Sequence, residues 1–405
     1  MTNETAESPE KRFAPGRGTR LLLIALPTVL VAALLCGVGE IVVRYRERHR
    51  TTVPGSMPAL YYRHVTLGHA LVRGYDYYGW AHTNAQGFRG ARPVTTEKPS
   101  GTTRIMAVGG STTFDILVSA DSAAWPARLE RILNDRLPGR RVEVINAGVA
   151  AYAVDQDLIR LETELYEYHP DLIIFYHGHN DLFYALGNAA GIDDVPDPRR
   201  PGEVATVTPW MRWLEVHSLL YAKLRARYSG VRFTRLRGRS DQRTAAGARS
   251  LIEPGAQAFE RRLRNYFAVA RALGIPVVVP EIVHISGESV HETDPWRRLE
   301  WQHAVPFAPT DSVLAGYARY NAALKSVTNA YGVPFIPMLG LGIVGTNYYS
   351  YGDPIHFNDR GAERFARGLA AQLVERHLIP VSGAPEEHAL AGPATGAFGP
   401  AHASR

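Results

Sequence analysis

Four short clusters in this chain carry side chains suited to acyl-transfer chemistry. The first is Gly109-Gly110-Ser111-Thr112-Thr113. A serine after two glycines, where a strand turns into a helix, can expose its hydroxyl and aim its backbone N–H at a bound carbonyl. The same residues would also serve as a plain glycine-rich turn or an anion-binding helix start. The second cluster, Asn146-Ala147-Gly148-Val149, offers a glycine at which backbone can approach a ligand and donate an N–H. The third, Gly178-His179-Asn180-Asp181, brings an amide that can hydrogen-bond an oxyanion or cap the next helix. The fourth is Asp353-Pro354-Ile355-His356-Phe357-Asn358. An acid three residues before a histidine can orient the imidazole and stabilise its protonated form.

These clusters need a scaffold that delivers them to one edge. Short apolar strands are predicted at Arg104–Val108, Arg141–Ile145, Asp171–Tyr176, Ile275–Pro280 and Val333–Pro337. Helical patterns fall near Asp121–Arg136, Asp155–Tyr168, Gly255–Leu273, Asp311–Tyr331 and Asp359–Arg376. In Gly255–Leu273, for example, Phe259, Leu263, Phe267, Ala270 and Leu273 form one apolar stripe. Strands alternating with helices imply parallel βαβ units, hence a three-layer α/β/α sandwich around a five-stranded parallel sheet. Such sheets place their chemistry in loops at the carboxyl ends of the strands, which is where all four clusters lie.

The rest of the 405 residues divides by composition. Residues 1–20 form a short tail. Residues 21–43 are an apolar run long enough to cross a bilayer, interrupted only by Pro27, Gly37, Gly39 and Glu40. The single cysteine, Cys36, follows Leu35, which does not suit lipoprotein processing, and no small-x-small cleavage pattern follows, so an uncleaved anchor is expected. Residues 44–100 are rich in Tyr, Gly and Pro and read as a lead-in. Residues 101–380 hold the catalytic pattern with an insertion at 187–250, and 381–405 is an Ala/Gly/Pro-rich tail expected to be disordered.

One cysteine excludes an intrachain disulfide framework and a cysteine-rich zinc site. The net charge of +6 is unevenly spread. Residues 221–250 carry +8 and the first fifty +3, leaving −5 for everything else. That division favours a membrane over nucleic acid as partner. Within the insertion, Trp210-Met211-Arg212-Trp213-Leu214 and Leu219-Leu220-Tyr221 precede the arginines. Such a segment suits either a membrane interface or a lid over the cleft.

Taken together, the four clusters resemble the SGNH/GDSL hydrolases, over roughly Arg104 to Arg376. The segment His82–Gly90, with Thr83-Asn84-Ala85-Gln86-Gly87-Phe88-Arg89-Gly90, is similar to the lead-in of membrane-anchored bacterial members. The resemblance implies a flavodoxin-like fold and a cofactor-free serine esterase working on an O-acyl ester of a small molecule, envelope glycan or lipid. It also implies a domain on the periplasmic or outer side, with residues 1–20 as a cytoplasmic tail. In it Ser111 stands for the nucleophile, His356 for its general base and Asp353 for the residue orienting the histidine. The Ser111 N–H, the Gly148 N–H and the Asn180 side chain stand for the oxyanion hole. Two departures occur. Gly110 replaces the usual aspartate before the serine, and Asp115 stands where glycine is common, expected to bring a carboxylate to the cleft mouth.

Three other readings compete. An O-acetyltransferase would share the triad and acyl-enzyme but pass the acyl group to an envelope polysaccharide. A metal-dependent hydrolase would use His177, His179 and Asp181, spaced as H-x-H-x-D. A non-catalytic assembly protein would keep the fold without turnover.

Overall fold

The computed structural model describes residues 17–48, 60–77, 79–188, 209–221, 224, 245–285, 308–350 and 353–380. The tail 381–405 and most of the basic stretch at 221–250 lie outside them. The chain divides into two compact units, one of residues 1–52 and 209–231, the other of 53–208 and 232–405.

The larger unit is built on five parallel strands: β5 (Thr102–Gly109), β6 (Arg141–Asn146), β7 (Leu172–Tyr176), β8 (Val277–Pro280) and β9 (Phe335–Ile336). Their spatial order is β6-β5-β7-β8-β9, so the chain crosses over after β6 and then winds outward the other way. β5 and β7 are buried at every position, as central parallel strands covered on both faces must be. The pleat sorts their side chains. Met106, Val108, Ile173 and Phe175 join one core with the helices Ile252–Ala272 and Thr310–Tyr331. Ile105, Ala107, Ile174 and Tyr176 join the other, against the helices α3 (Trp125–Arg136) and Asp359–Glu375. That is the expected three-layer sandwich.

Arg104 is the one long charged side chain buried inside β5. Its Nε donates to Glu143 Oε2 at 2.7 Å and its Nη1 to the Tyr168 carbonyl at 2.7 Å. Fully withdrawn from water, the charge is tolerated only because it is paired and hydrogen-bonded.

The lead-in is more structured than its composition suggested. β1 (Tyr61–His64) pairs with β2 (Gly68–Leu71), and β3 (Tyr75–Tyr77) with β4 (Ala81–Thr83), both antiparallel. Leu60, Tyr61, Leu71, Tyr75, Tyr77 and Ala81 share a third core with Phe114, Val149 and Tyr152, beside the turns that follow β5 and β6. These strands of three or four residues bury three tyrosines beside Leu71 and Ala81, too short a pattern for a search for long apolar runs.

The smaller unit holds the helix α1 (Arg17–Arg48), longer than its apolar run at both ends. Its segment Ala25–Tyr45 is long and apolar enough to span a membrane, with a mean hydropathy of 2.2.

Candidate active site

Three of the four clusters emerge from adjacent strand ends. β5 stops at Gly109, and the short helix α2 (Ser111–Phe114) begins at once, so Ser111 is its first residue. A first-turn N–H has no partner inside its helix, and that of Ser111 donates to none of the described groups. β6 leads through the loop 147–153 into α4 (Val154–Thr163), and β7 into the helix α5 (His179–Asn188) that carries Asn180.

The fourth cluster arrives from a different part of the chain. Tyr349 and Phe357 form a bridge, and Ser350 N–H donates to the His356 carbonyl at 3.0 Å, closing the loop between them. Asn358 then caps the last helix through Oδ1, which accepts from the Arg360 and Gly361 N–H groups. His356 is thereby held two residues before a capped helix.

The result is a continuous relay. The Ser111 hydroxyl lies 2.7 Å from His356 Nε2, and His356 Nδ1 lies 2.7 Å from Asp353 Oδ2. Asp353 Oδ1 accepts the backbone N–H groups of Ile355 (3.0 Å) and His356 (2.8 Å), which fixes the carboxylate as well as the ring. Burial pushes the Asp353 carboxyl up. The adjacent imidazolium and these N–H groups outweigh burial, and the net shift is downward. For His356 burial pulls down, but the Asp353 charge and hydrogen bond prevail and raise it.

A sequence profile of the GDSL-like lipase/acylhydrolase family matches residues 107–364, well over half of the chain. The chain belongs to that family. No curated protein matches it. Among solved structures it is similar to LAE5, an α/β hydrolase from the metagenome of Lake Arreo, Spain, at 14% identity over 68% of this chain and 95% of that one, TM-score 0.40. It is also similar to the acetyl xylan esterase AlAXEase, at 12% identity over 67% of this chain and 99% of that one, TM-score 0.39. A third is Axe2, an acetylxylan esterase from Geobacillus stearothermophilus, at 13% identity over 68% and 94%, TM-score 0.38.

Within this GDSL-like fold, Asn180 sits in the first turn of α5 and donates one amide proton to the Tyr152 carbonyl at 2.8 Å. Its second amide proton is left for another acceptor. The side chain therefore acts as a donor across the loops rather than as a helix cap. A Cβ at Gly110 would meet that amide nitrogen at 2.6 Å, so any larger residue before the serine would have to displace the Asn180 side chain.

Gly148 departs from expectation. Its N–H donates to Asn146 Oδ1 at 3.1 Å and is engaged within its own loop. Further along that loop Ala151 takes a left-handed φ of 64°. Its N–H donates to no described group, and the next carbonyl, of Tyr152, is the one that holds Asn180. A positive φ at alanine leaves no trace in residue type, so this turn is not legible in the sequence.

The H-x-H-x-D reading does not survive. His177 Nε2 lies 2.7 Å from Asp157 Oδ2, whereas His179 Nδ1 lies 2.8 Å from the Tyr317 hydroxyl. Asp181 approaches the Val154 N–H and the Arg262 guanidinium. Residues two apart share a face only on extended backbone, and Gly178, at φ +124°, breaks it between them. Among the described residues no three His, Cys, Asp or Glu side chains gather as a metal site would require. His179 instead lies in a buried aromatic group with Tyr176, Tyr317 and His284, where burial holds it well below the ordinary histidine range.

Asp115 is not at a cleft mouth. It is fully buried, ends α2 in a left-handed conformation, and accepts the Trp125 N–H on Oδ2 at 2.8 Å, while Oδ1 has no hydrogen-bond partner. Burial pushes its carboxyl up to about 7. The folded chain thus keeps a proton there that the unfolded chain releases near 3.8, and stability should fall as pH rises between those values. Asp115→Asn keeps an acceptor for Trp125. It should flatten that slope by a few kcal/mol, on the order of 1.4 per pKa unit, in urea unfolding measured at pH 5 and pH 8.

Above α2 lies the arginine of the lead-in motif. Arg89 Nη1 donates to the carbonyls of Phe114 (2.5 Å) and Asp115 (2.7 Å), Nε to Asp121 Oδ1 (2.9 Å) and Nη2 to the Trp80 carbonyl (3.2 Å). It holds the carbonyl end of the turn whose other end is Ser111. Arg89→Met should destabilise the catalytic unit by about 3 kcal/mol, because it takes the donor from three carbonyls and leaves Asp121 to His82 alone. Arg89→Lys should recover only part, lacking the planar fork. Urea unfolding of the three proteins checks both.

Proposed function

We propose that this chain is a serine-dependent ester hydrolase that works through an acyl-enzyme and is held at a membrane by α1. The observation that carries this reading is the relay Ser111–His356–Asp353, with both contacts at 2.7 Å. His356 Nε2 takes the Ser111 proton as the oxygen attacks an ester carbonyl. The Ser111 oxygen–acyl bond forms and the carbonyl π pair moves onto oxygen. That oxyanion is met by the Ser111 N–H, the free Asn180 amide proton and the Ala151 N–H in place of Gly148. Collapse expels the alkoxide, which takes the proton from His356. Water, deprotonated by His356, then repeats the cycle on the acyl-enzyme and releases the acid.

The substrate class proposed is an O-acyl ester of an envelope glycan or lipid, presented where the anchor holds the domain. Supporting it are the family, the anchor's length and hydropathy, and the basic insertion. A short-chain aryl ester given to the full chain in detergent tests the chemistry. Turnover with a burst of phenolate, and an acyl adduct on the Ser111 peptide by mass spectrometry, are expected. A chain that neither turns over nor labels at Ser111 would refute the assignment.

A further inference from the structure

The insertion between β7 and β8 returns to the anchor helix. Within the smaller unit, α6 (Pro209–His217) is followed at Ser218 by a new helical turn, and Glu40 of α1 is bound to that corner. Its carboxylate accepts the Ser218 hydroxyl (2.9 Å) and the backbone N–H groups of Leu219 (2.8 Å) and Leu220 (2.9 Å). Arg44, one turn further along α1, donates through Nε to Glu40 (2.7 Å) and through Nη2 to the His217 carbonyl (3.1 Å). Leu220 packs directly on the backbone at Gly39. A carboxylate inside an apolar run is costly unless hydrogen-bonded. Here the insertion supplies three of its donors.

This junction fixes a depth. Glu40 and Arg44 are among the last residues of the 21-residue segment Ala25–Tyr45, so in a spanning helix they stand where hydrocarbon gives way to headgroups. α6 is attached at that level. Trp210 and Trp213, three apart and hence on one face, are 60% and 59% exposed. Tryptophan pairs at such a level form the aromatic belt of membrane proteins. The chain beyond, residues 221–250, carries nine Lys or Arg and one Asp, a charge complementary to anionic headgroups.

We infer that α6 is an interfacial helix: its Trp210–Trp213 face docks into the headgroup–acyl boundary of the bilayer that α1 spans, with Glu40 and Arg44 as its mount. The occupant of this face is the lipid surface, not the active-site cleft. The inference rests on the spanning role proposed for α1, and its test reports on the two separately.

The chain has one cysteine, Cys36, exposed on the spanning segment. Three full-length proteins are reconstituted in bilayers of phosphatidylcholine and phosphatidylglycerol and spin-labelled. One is labelled at native Cys36, and two in a Cys36→Ala background at Trp213→Cys or Val65→Cys. Val65, 90% exposed in the larger unit, is the aqueous reference. Depth is read from oxygen against nickel-chelate accessibility. The Cys36 label should lie in the hydrocarbon core, the label at 213 about 5–10 Å into the boundary, and that at 65 in water. A label at 213 as accessible to nickel as the one at 65, with Cys36 still in the core, overturns the interfacial helix and leaves the anchor standing. A water-accessible Cys36 overturns both.

Discussion

Replacing Ser111 by alanine is expected to lower kcat for a short-chain aryl ester by something on the order of 10⁶-fold, with little change in KM. The loss is that large because, among the described residues, the Ser111 hydroxyl is the nucleophile set against the imidazole, 2.7 Å from His356 Nε2, and without it no covalent intermediate forms. His356→Ala should cost about as much. The double variant should be no worse than either single one, because the two side chains act in one step and their effects do not add. The residual rate then measures the oxyanion donors and binding alone. A double variant much slower than both singles would mean that serine and histidine act independently, which the relay forbids. Stability should barely change, since neither side chain belongs to a core, and this separates lost chemistry from lost fold.

How much of the fold and site is legible in the chain follows from which forces set each feature. β7 is a run of apolar residues and so is β5 from Ile105 to Val108, as strands buried on both faces tend to be, so Asp171–Tyr176 falls within one residue of β7 and Arg104–Val108 within two of β5. The helix Ile252–Ala272 betrays itself by its stripe of Phe259, Leu263 and Phe267. Ser111 and Asn180 stand out because strand-end position and residue chemistry coincide, whereas Asp353 and His356 do so by their three-residue spacing just before the last helix.

Other features depend on tertiary contacts that residue types do not announce. Asp115 reads as a surface carboxylate until the fold buries it fully and the Trp125 N–H meets it. His177 and His179 share a spacing, but one glycine's backbone angle turns them to different partners. Arg89 sits in a quotable motif, yet its reach to the Phe114 and Asp115 carbonyls emerges only when the lead-in hairpins fold against α2. Each of these misses concerns what a polar group is paired with. Composition and periodicity describe where apolar surface goes and are silent on that question.

The pairing of Asp353 with His356 makes the most discriminating prediction. His356 works as a base only when neutral, so kcat/KM must fall on the acid side as the free enzyme's imidazole takes up a proton. Its proton affinity is raised by the Asp353 charge and hydrogen bond against the opposing pull of burial. The acid limb of wild type should therefore lie above the ordinary histidine value of 6.5. Asp353→Asn removes the raising influence and leaves burial, so the limb should move to lower pH, while kcat drops by up to about 10⁴-fold because the imidazole loses its preferred tautomer. Asp115→Asn should move the limb the same way but less, since that carboxylate is the smallest of the influences on His356, and should leave most of kcat intact. A purely structural role for Asp353 would lower the rate at every pH and leave the limb where it was. The pH profiles of the three proteins on one aryl ester decide between these, and an unmoved limb in Asp353→Asn would sink the idea that Asp353 orients His356 and raises its basicity.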